Sequence, residues 1–290
     1  MKATLAVRAA LASLLVLGAA GCAQAADGAG KGSDDQFAFP GGDTVALRVE
    51  QVGGFVPPAY LASRIPMLTV YADGRVITEG PVTMIYPGPA LPNIQVRRIS
   101  SGDVQKLVDQ AVKAGIGTKQ DLGQPGVTDM PDTVITVHTA DGDKKTTAYA
   151  LNEEIRTDGL SADQVAARRK LLDLVKALTD LDTTLGKGAV GQSEPYQAKT
   201  VAGLASTYQA NPDAGKQAEV AWPGPALPGK AFSEGLDLGC VAATGDQATA
   251  VLAAAAKANQ LTPWTSGGKT YSVAIRPLLP DEADCAALAW

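Results

Sequence analysis

Histidine is nearly absent from this sequence, which contains only His138. Most secreted hydrolases rely on a histidine base, so a single histidine leaves few catalytic options. Many zinc sites use several histidines, and one histidine excludes a two-histidine metal centre. His138 lies in an alternating pattern, 133–139, where a strand-surface position is the simpler interpretation of its role. The sequence also lacks a G-x-S-x-G nucleophile motif. We therefore predict no catalytic residue, no metal site and no cofactor.

Basic residues are also in deficit, with 25 lysines and arginines against 30 aspartates and glutamates. The first 21 residues hold two of the basic residues and no acidic one, so the remainder has 23 basic and 30 acidic residues and a net charge of −7. An acidic surface disfavours nucleic acid as a partner, as well as electrostatic docking on anionic lipid. We predict no nucleic-acid partner.

The longest apolar run in the chain is too short for a stable membrane span. Residues 9–20 are almost entirely apolar, follow a short basic region and close on the small residues Ala19-Ala20-Gly21-Cys22. This order is typical of a secretory signal peptide, and its end resembles a bacterial lipobox, in which the cysteine thiol is joined to diacylglycerol. We predict a signal peptide over 1–21 and lipidation, with palmitate-type chains, at Cys22. The lipid bilayer is then the first partner, and the protein is anchored to the cell membrane on its extracytoplasmic side.

The remaining chain is divided by two stretches of small, polar residues. Residues 22–42 begin with the lipidated cysteine and form a flexible tether, since they are poor in large apolar side chains. A second such stretch, Gly186–Ser193, separates an N-terminal α+β domain, 43–188, from a C-terminal α+β domain, 189–290.

Only three cysteines are present. If Cys22 carries lipid, Cys240 and Cys285 remain as one even pair in an oxidising compartment, which predicts a disulfide. Two separate buried thiols are the alternative. A shared metal is disfavoured because too few cysteines and histidines exist to complete a site.

The pattern along the chain alternates hairpins with single helices. Hairpins are predicted at 67–78, 133–151 and 261–276, each around a glycine-containing turn. Helix-capping motifs begin at Ser100, Ser161 and Thr244. The fold class is therefore α+β, with antiparallel β-hairpins packed with single helices, and it lacks the βαβ rhythm of a parallel sheet. The repeated order leaves open an organisation in two related halves.

A leucine stripe follows Ser161, and its members are Leu171, Leu174, Leu178, Leu181 and Leu185. The spacing fits either a coiled-coil seam or a helix that covers a sheet. Barely two heptads are present, which favours the sheet-covering helix.

Two proline-rich loops share the sequence Pro-Gly-Pro-Ala-Leu-Pro, one after Tyr86 and the other after Trp222. Each precedes a helix and a hairpin, so either an internal duplication or convergence explains the repeat. Because proline stiffens the backbone, Tyr86 and Trp222 are candidate binding residues with little ordering entropy to lose. The alternative is that both rings pack into the core.

The signal peptide, the hairpin at 68–77, the first proline-rich loop and the closing Arg276-Pro-Leu-Leu-Pro-Asp-Glu282 resemble uncharacterised secreted lipoproteins of actinobacteria. The first half is also similar to small domains of unknown function with a hairpin–helix–hairpin order. The resemblance implies an envelope location and supplies no activity.

Three classes of function are compatible with these patterns. The first is a membrane-anchored binding or interaction module whose partner is an envelope protein or a cell-wall component. The second is an envelope hydrolase with a carboxylate pair drawn from Asp129, Asp132, Glu153 and Glu154. The third is a structural subunit that docks through the leucine stripe. We favour the binding module.

Overall fold

Two β-sheets form the frame of the protein, and the computed structural model describes residues 41–151 and 157–288 of it. The strands of the first sheet are β1 (Val45–Val52), β2 (Leu68–Tyr71), β3 (Arg75–Glu79), β4 (Ile94–Arg98), β5 (Asp132–Thr139), β6 (Gly142–Tyr149) and β7 (Glu194–Pro195). They lie in the order β6-β5-β1-β2-β3-β4-β7. All of these neighbours pair antiparallel, as hairpin-rich sequences predict.

The second sheet follows in the chain and is also mostly antiparallel. Its strands are β8 (Thr200–Thr207), β9 (Val220–Ala221), β10 (Lys230–Ala231), β11 (Gly239–Thr244), β12 (Pro263–Ser266) and β13 (Lys269–Pro277). They lie in the order β10-β11-β8-β13-β12-β9, and only the short β9 runs parallel to its neighbour β12. All three predicted hairpins are present, as β2–β3, β5–β6 and β12–β13.

Five α-helices lie between these strands in the described part of the chain. They are α1 (Pro58–Ser63), α2 (Ser101–Ala114), α3 (Ala162–Thr179), α4 (Leu181–Leu185) and α5 (Gly245–Ala255). Single helices packed with antiparallel hairpins confirm the predicted α+β class.

Side-chain caps explain where two of the helices begin. The Ser100 hydroxyl accepts the Asp103 amide of α2 at 3.1 Å, and Ser161 and Gln164 form the reciprocal capping box of α3. The third predicted capping box, at Thr244, is wrong, since no side chain caps α5. Thr244 is still paired with Thr200 in the sheet, so β11 runs directly into the helix.

The helices α2 and α3 cover one face of the first sheet. Of the leucine stripe, four members are buried in this core and Leu185 packs against it. This confirms the sheet-covering interpretation of the stripe for these residues. The predicted single helix is interrupted at Asp180, which instead caps α4 by accepting the Thr183 amide at 3.2 Å.

The segment after β13 contributes to an apolar cluster on each sheet and changes partner at consecutive residues. Leu278 packs with Leu204 of β8 in the second sheet, and Leu279 packs with Tyr71 and Ile77 of the first sheet. We call residues 278–282 the linking segment, because it contributes to the cores of both sheets.

The predicted domain boundary after residue 188 lies close to a strand of the first sheet. Gly191 donates its amide to the Arg98 carbonyl at 2.8 Å, and β7 pairs with the edge strand β4. Residues from 189–290 thus complete the first sheet, and the division into two domains stays a prediction. The signal peptide, Cys22 and most of the tether lie outside the described residues.

Candidate functional site

An exposed loop without charged residues connects β3 to β4. Residues 80–93 contain no acidic or basic side chain, although 19% of the chain is charged. Four of its large side chains face solvent: Met84 is fully exposed, Tyr86 is 67% exposed, and Val82 and Ile85 are also exposed. Apolar side chains that cluster at a surface in this way mark interaction sites.

This loop is fixed at both of its ends. Asn93 donates its side-chain amide to the Pro81 carbonyl at 2.8 Å, and the Tyr86 hydroxyl accepts from the Asn211 side chain at 2.6 Å. Further along, the Ala90 amide donates to the Ala258 carbonyl at 3.2 Å, beyond the end of α5. The exposed residues therefore project from a backbone that is held before any partner binds.

A second exposed apolar group lies at the same end of the first sheet. β1 and β3 both run antiparallel to β2, so their carboxyl-terminal ends lie at the same end of the sheet. After β1 the loop exposes Phe55, at 85%, and the α1 residue Tyr60. We call Phe55, Tyr60, Val82, Met84, Ile85 and Tyr86 together the apolar end.

The second proline-rich loop behaves differently from the first. Trp222 is only 8% exposed, its indole N–H donates to the Pro225 carbonyl at 2.8 Å, and its ring meets Trp264 edge-on at 5.4 Å. Gly203 of β8 lies beneath it, where a Cβ would come within 2.9 Å of the indole. The ring of Trp222 is therefore packed in a core, as the alternative interpretation predicted, and Trp222 is no longer a candidate binding residue. Tyr86 is exposed and remains a candidate.

Polar side chains meet where the linking segment crosses between the sheets. Arg48 donates to both carboxylate oxygens of Asp281, at 2.8 and 2.9 Å, and the buried Tyr71 hydroxyl donates to the same carboxylate at 2.5 Å. Burial is the largest cause that raises the pKa of Tyr71, and the Asp281 carboxylate adds to it. The first sheet is therefore held to the linking segment by charge-assisted hydrogen bonds as well as by apolar contacts.

A second ion pair lies beside the first and is deeply buried. Arg276 donates to Glu282 at 2.8 Å, and the other Glu282 oxygen accepts the Leu279 amide at 2.7 Å. Burial lowers the pKa of Arg276 and raises the pKa of Glu282, because each loses hydration of its charged form. Both Glu282 oxygens are engaged within the protein, which is the arrangement of a structural pair.

A small cleft of about 120 Å³ adjoins this pair. It is lined by two acids and two bases, Glu50, Glu282, Arg64 and Arg276. The formal charges of these four side chains sum to zero.

The carboxylates suggested for a hydrolase are not brought into a cleft by the described residues. Asp129 is exposed in a loop and Asp132 begins β5, while Glu153 and Glu154 lie outside the described residues. The carboxyl groups whose pKa is raised, by burial in each case, are instead Glu79 and Glu282. His138 lies on a strand, with its Nδ1 2.6 Å from an oxygen of Asp143 on the paired strand.

The predicted disulfide between Cys240 and Cys285 is present, with the two Cα atoms 6.1 Å apart. It joins β11 to a short 3-10 helix, Cys285–Leu288, directly after the linking segment.

Within residues 41–151 and 157–288, no group of three or more metal-ligating side chains is assembled. No helix in that part of the chain is long and apolar enough to cross a bilayer.

Comparison with known proteins adds no relative: no family model, curated protein or solved structure matches this chain. Of the apolar end, sequence reasoning found Tyr86 but missed the other five residues, Phe55, Tyr60, Val82, Met84 and Ile85. The signal for the loop was available, since residues 80–93 combine large apolar side chains with a complete absence of charge.

Proposed function

We propose that this protein is a lipid-anchored extracytoplasmic lipoprotein that acts as a binding or interaction module at the cell envelope. The apolar end carries the proposal, because it presents large apolar side chains on a backbone that the fold already holds. Burying one such side chain on a partner stabilises a complex by about 1.5–3 kcal/mol, and leaving it in water forgoes that energy.

The anchoring part of the proposal is supported by the sequence and by the disulfide. The apolar run over 9–20 and the small residues before Cys22 are typical of an exported lipoprotein. A disulfide such as Cys240–Cys285 persists in oxidising compartments outside the cytoplasm. Two or more acyl chains on Cys22 give firm attachment, whereas a single chain binds only reversibly.

Replacing Cys22 with serine tests the anchor directly. In cells fed a clickable palmitate analogue, we expect wild-type protein to be labelled and to sediment with membranes. Cys22→Ser removes the acceptor thiol, so both the label and the membrane association are lost. Ser33→Ala, in the same tether, is the matched control and retains both.

An unlabelled wild-type chain with its leader intact in the cytosolic fraction would contradict the proposal. The hydrolase alternative gains no support from the described carboxylates, since Glu282 is engaged on both oxygens.

A further inference from the structure

The small cleft beside the Arg276–Glu282 pair lies where the two sheets meet. Its walls come from the end of β1 in the first sheet, the end of β13 in the second sheet, α1 and the disulfide-linked 3-10 helix. α1 packs on the second sheet, because Ala62 shares an apolar cluster with Leu204 and Leu278. We call this space the interface cleft. Small ligands bind preferentially in clefts between packed units of a protein.

Arg64 lines the interface cleft with one edge of its guanidinium group unpaired. Its Nη1 donates to the carbonyls of Gln51 and Gly53, at 3.0 and 3.1 Å, and the group lies over the Tyr60 ring, 5.3 Å from its centroid. Among the described residues, none accepts a hydrogen bond from Nε or Nη2. These two N–H groups are parallel and match the two oxygens of a carboxylate. Arg64 is therefore held in place with a carboxylate-binding edge that the fold does not use.

Glu50 contributes the opposite charge to the same cleft. It is half-buried and directly precedes Gln51, whose carbonyl Arg64 binds. Its carboxylate makes no hydrogen bond or ion pair with any other residue in the described part of the chain. Arg276 and Glu282, by contrast, pair directly at 2.8 Å. Glu50 and Arg64 therefore line one small cleft as separate, opposite charges, which a ligand with both charges can join.

Arg276 adds a donor that is withdrawn from solvent. It lines the interface cleft and is only 1% exposed, and its Nε has no hydrogen-bond partner among residues 41–151 and 157–288. A buried N–H group without a partner costs free energy, so native structures satisfy such groups with protein, water or ligand. The unpaired donors of Arg64 and Arg276 both favour an acceptor group inside this cleft.

The size of the interface cleft limits what can enter it. An apolar cavity of about 150 Å³ holds a benzene ring, so a cleft of about 120 Å³ admits a slightly smaller molecule. Glycine and alanine are of this size, and each carries one carboxylate and one ammonium group. Leu61, Ile65 and Leu288 also line the cleft and provide apolar surface for a methyl group.

We propose that the interface cleft binds a free α-amino acid with a small side chain, as its zwitterion. The ligand carboxylate accepts hydrogen bonds from Nε and Nη2 of Arg64, and the ammonium group donates to Glu50. The small side chain lies against Leu61 and Leu288. This site goes beyond the proposed envelope function and does not depend on it, because every residue that forms it belongs to the folded part of the chain.

Isothermal titration calorimetry of the purified full chain tests the proposal, with glycine and L-alanine as probes. We expect saturable binding of one molecule per chain, with a dissociation constant of ~1 mM or below. N-acetylalanine lacks the ammonium group and alaninamide lacks the carboxylate, so each is expected to bind at least tenfold more weakly than alanine. Phenylalanine is too large for the cleft and is expected not to bind.

Two substitutions test the assigned contacts. Glu50→Gln removes the partner of the ammonium group and is expected to weaken alanine binding at least tenfold. Arg64→Lys keeps the positive charge but loses the pair of parallel N–H groups, and is expected to weaken binding at least fivefold. Arg98→Gln replaces an exposed arginine of β4 and is the matched control, with unchanged affinity. The ligand analogues are measured on wild-type protein, so they test the proposal even where a substitution unfolds the chain.

Three results would overturn the amino-acid site. They are the absence of saturable heat from both probes up to ~10 mM, equal binding of alanine and its two blocked analogues, or unchanged affinity in both Glu50→Gln and Arg64→Lys. Palmitate labelling at Cys22 is measured separately from alanine binding. Loss of one result with the other retained therefore shows which of the two proposals has failed.

Discussion

Tyr86 and Trp222 precede the same six residues, yet only one of their rings faces solvent. The difference comes from what lies beneath each ring. Gly203 leaves a space on β8 that the indole of Trp222 fills, and Pro225 accepts its N–H. Tyr86 instead accepts a hydrogen bond from the half-buried Asn211 through its hydroxyl and buries little of its ring. The environment, rather than the shared loop sequence, decides between a core role and a surface role.

The contrast predicts opposite effects on stability. Trp222→Ala empties a packed site and is expected to lower the free energy of unfolding by about 3–5 kcal/mol. Tyr86→Ser is expected to change it by no more than about 0.5 kcal/mol, as for other exposed positions. Urea unfolding followed by circular dichroism measures both. Trp222→Phe serves as a control with a smaller loss, and a Trp222→Ala protein as stable as wild type would disprove the core assignment.

At the scale of elements, local signals predicted most of the helices and hairpins. Ser100 and Ser161 each determined a helix start through a side-chain oxygen, and glycine turns located the three hairpins. Thr244 failed because strand pairing with Thr200 took precedence over the capping motif. The very short strands, such as β7, β9 and β10, carry no periodicity and were invisible in the sequence. Their formation depends on distant neighbours.

The disulfide holds two elements that are distant in sequence. It closes a loop across a separation of 45 residues and fixes the 3-10 helix Cys285–Leu288 against β11. Replacing both Cys240 and Cys285 with serine is expected to lower the free energy of unfolding by up to about 4 kcal/mol, from loop-closure entropy.

Chemical denaturation with and without dithiothreitol checks this expectation. The reductant lowers the unfolding midpoint of wild type and leaves that of the double variant unchanged. Equal midpoints for reduced and oxidised wild type would show that the bond contributes no stability.

For the whole molecule, the linking segment is the feature that sequence patterns could not predict. Arg276-Pro-Leu-Leu-Pro-Asp-Glu282 was recognisable as a motif, but nothing local indicated that Leu278 and Leu279 enter different cores. The same holds for Asp281, whose partners Arg48 and Tyr71 lie over 200 residues earlier in the chain. Such contacts depend on how the two sheets are arranged in three dimensions. The sequence therefore indicated a candidate boundary after residue 188 but did not indicate the contacts of the linking segment with both sheets.

The linking segment predicts that the two sheets unfold together. Trp222 and Trp264 both lie in the core of the second sheet, so their fluorescence in a Trp290→Phe background reports that sheet. Amide exchange of β1 and β5 reports the first sheet. We expect the two probes to give coincident transitions in urea. Leu279→Ala is expected to lower the free energy of unfolding reported by each probe by about 2–4 kcal/mol. Lys269→Ala, on an exposed position of β13, is the control without effect. Two separate transitions in wild type would show that the sheets are independent domains.

The position of the linking segment along the chain has a consequence for biosynthesis. Residues 278–282 are translated after every strand of both sheets, so Tyr71, Ile77 and Leu204 have no final cover until the chain has been made past residue 279. Both cores therefore close only after all of their strands have been made, so neither sheet reaches its final packing stepwise along the growing chain.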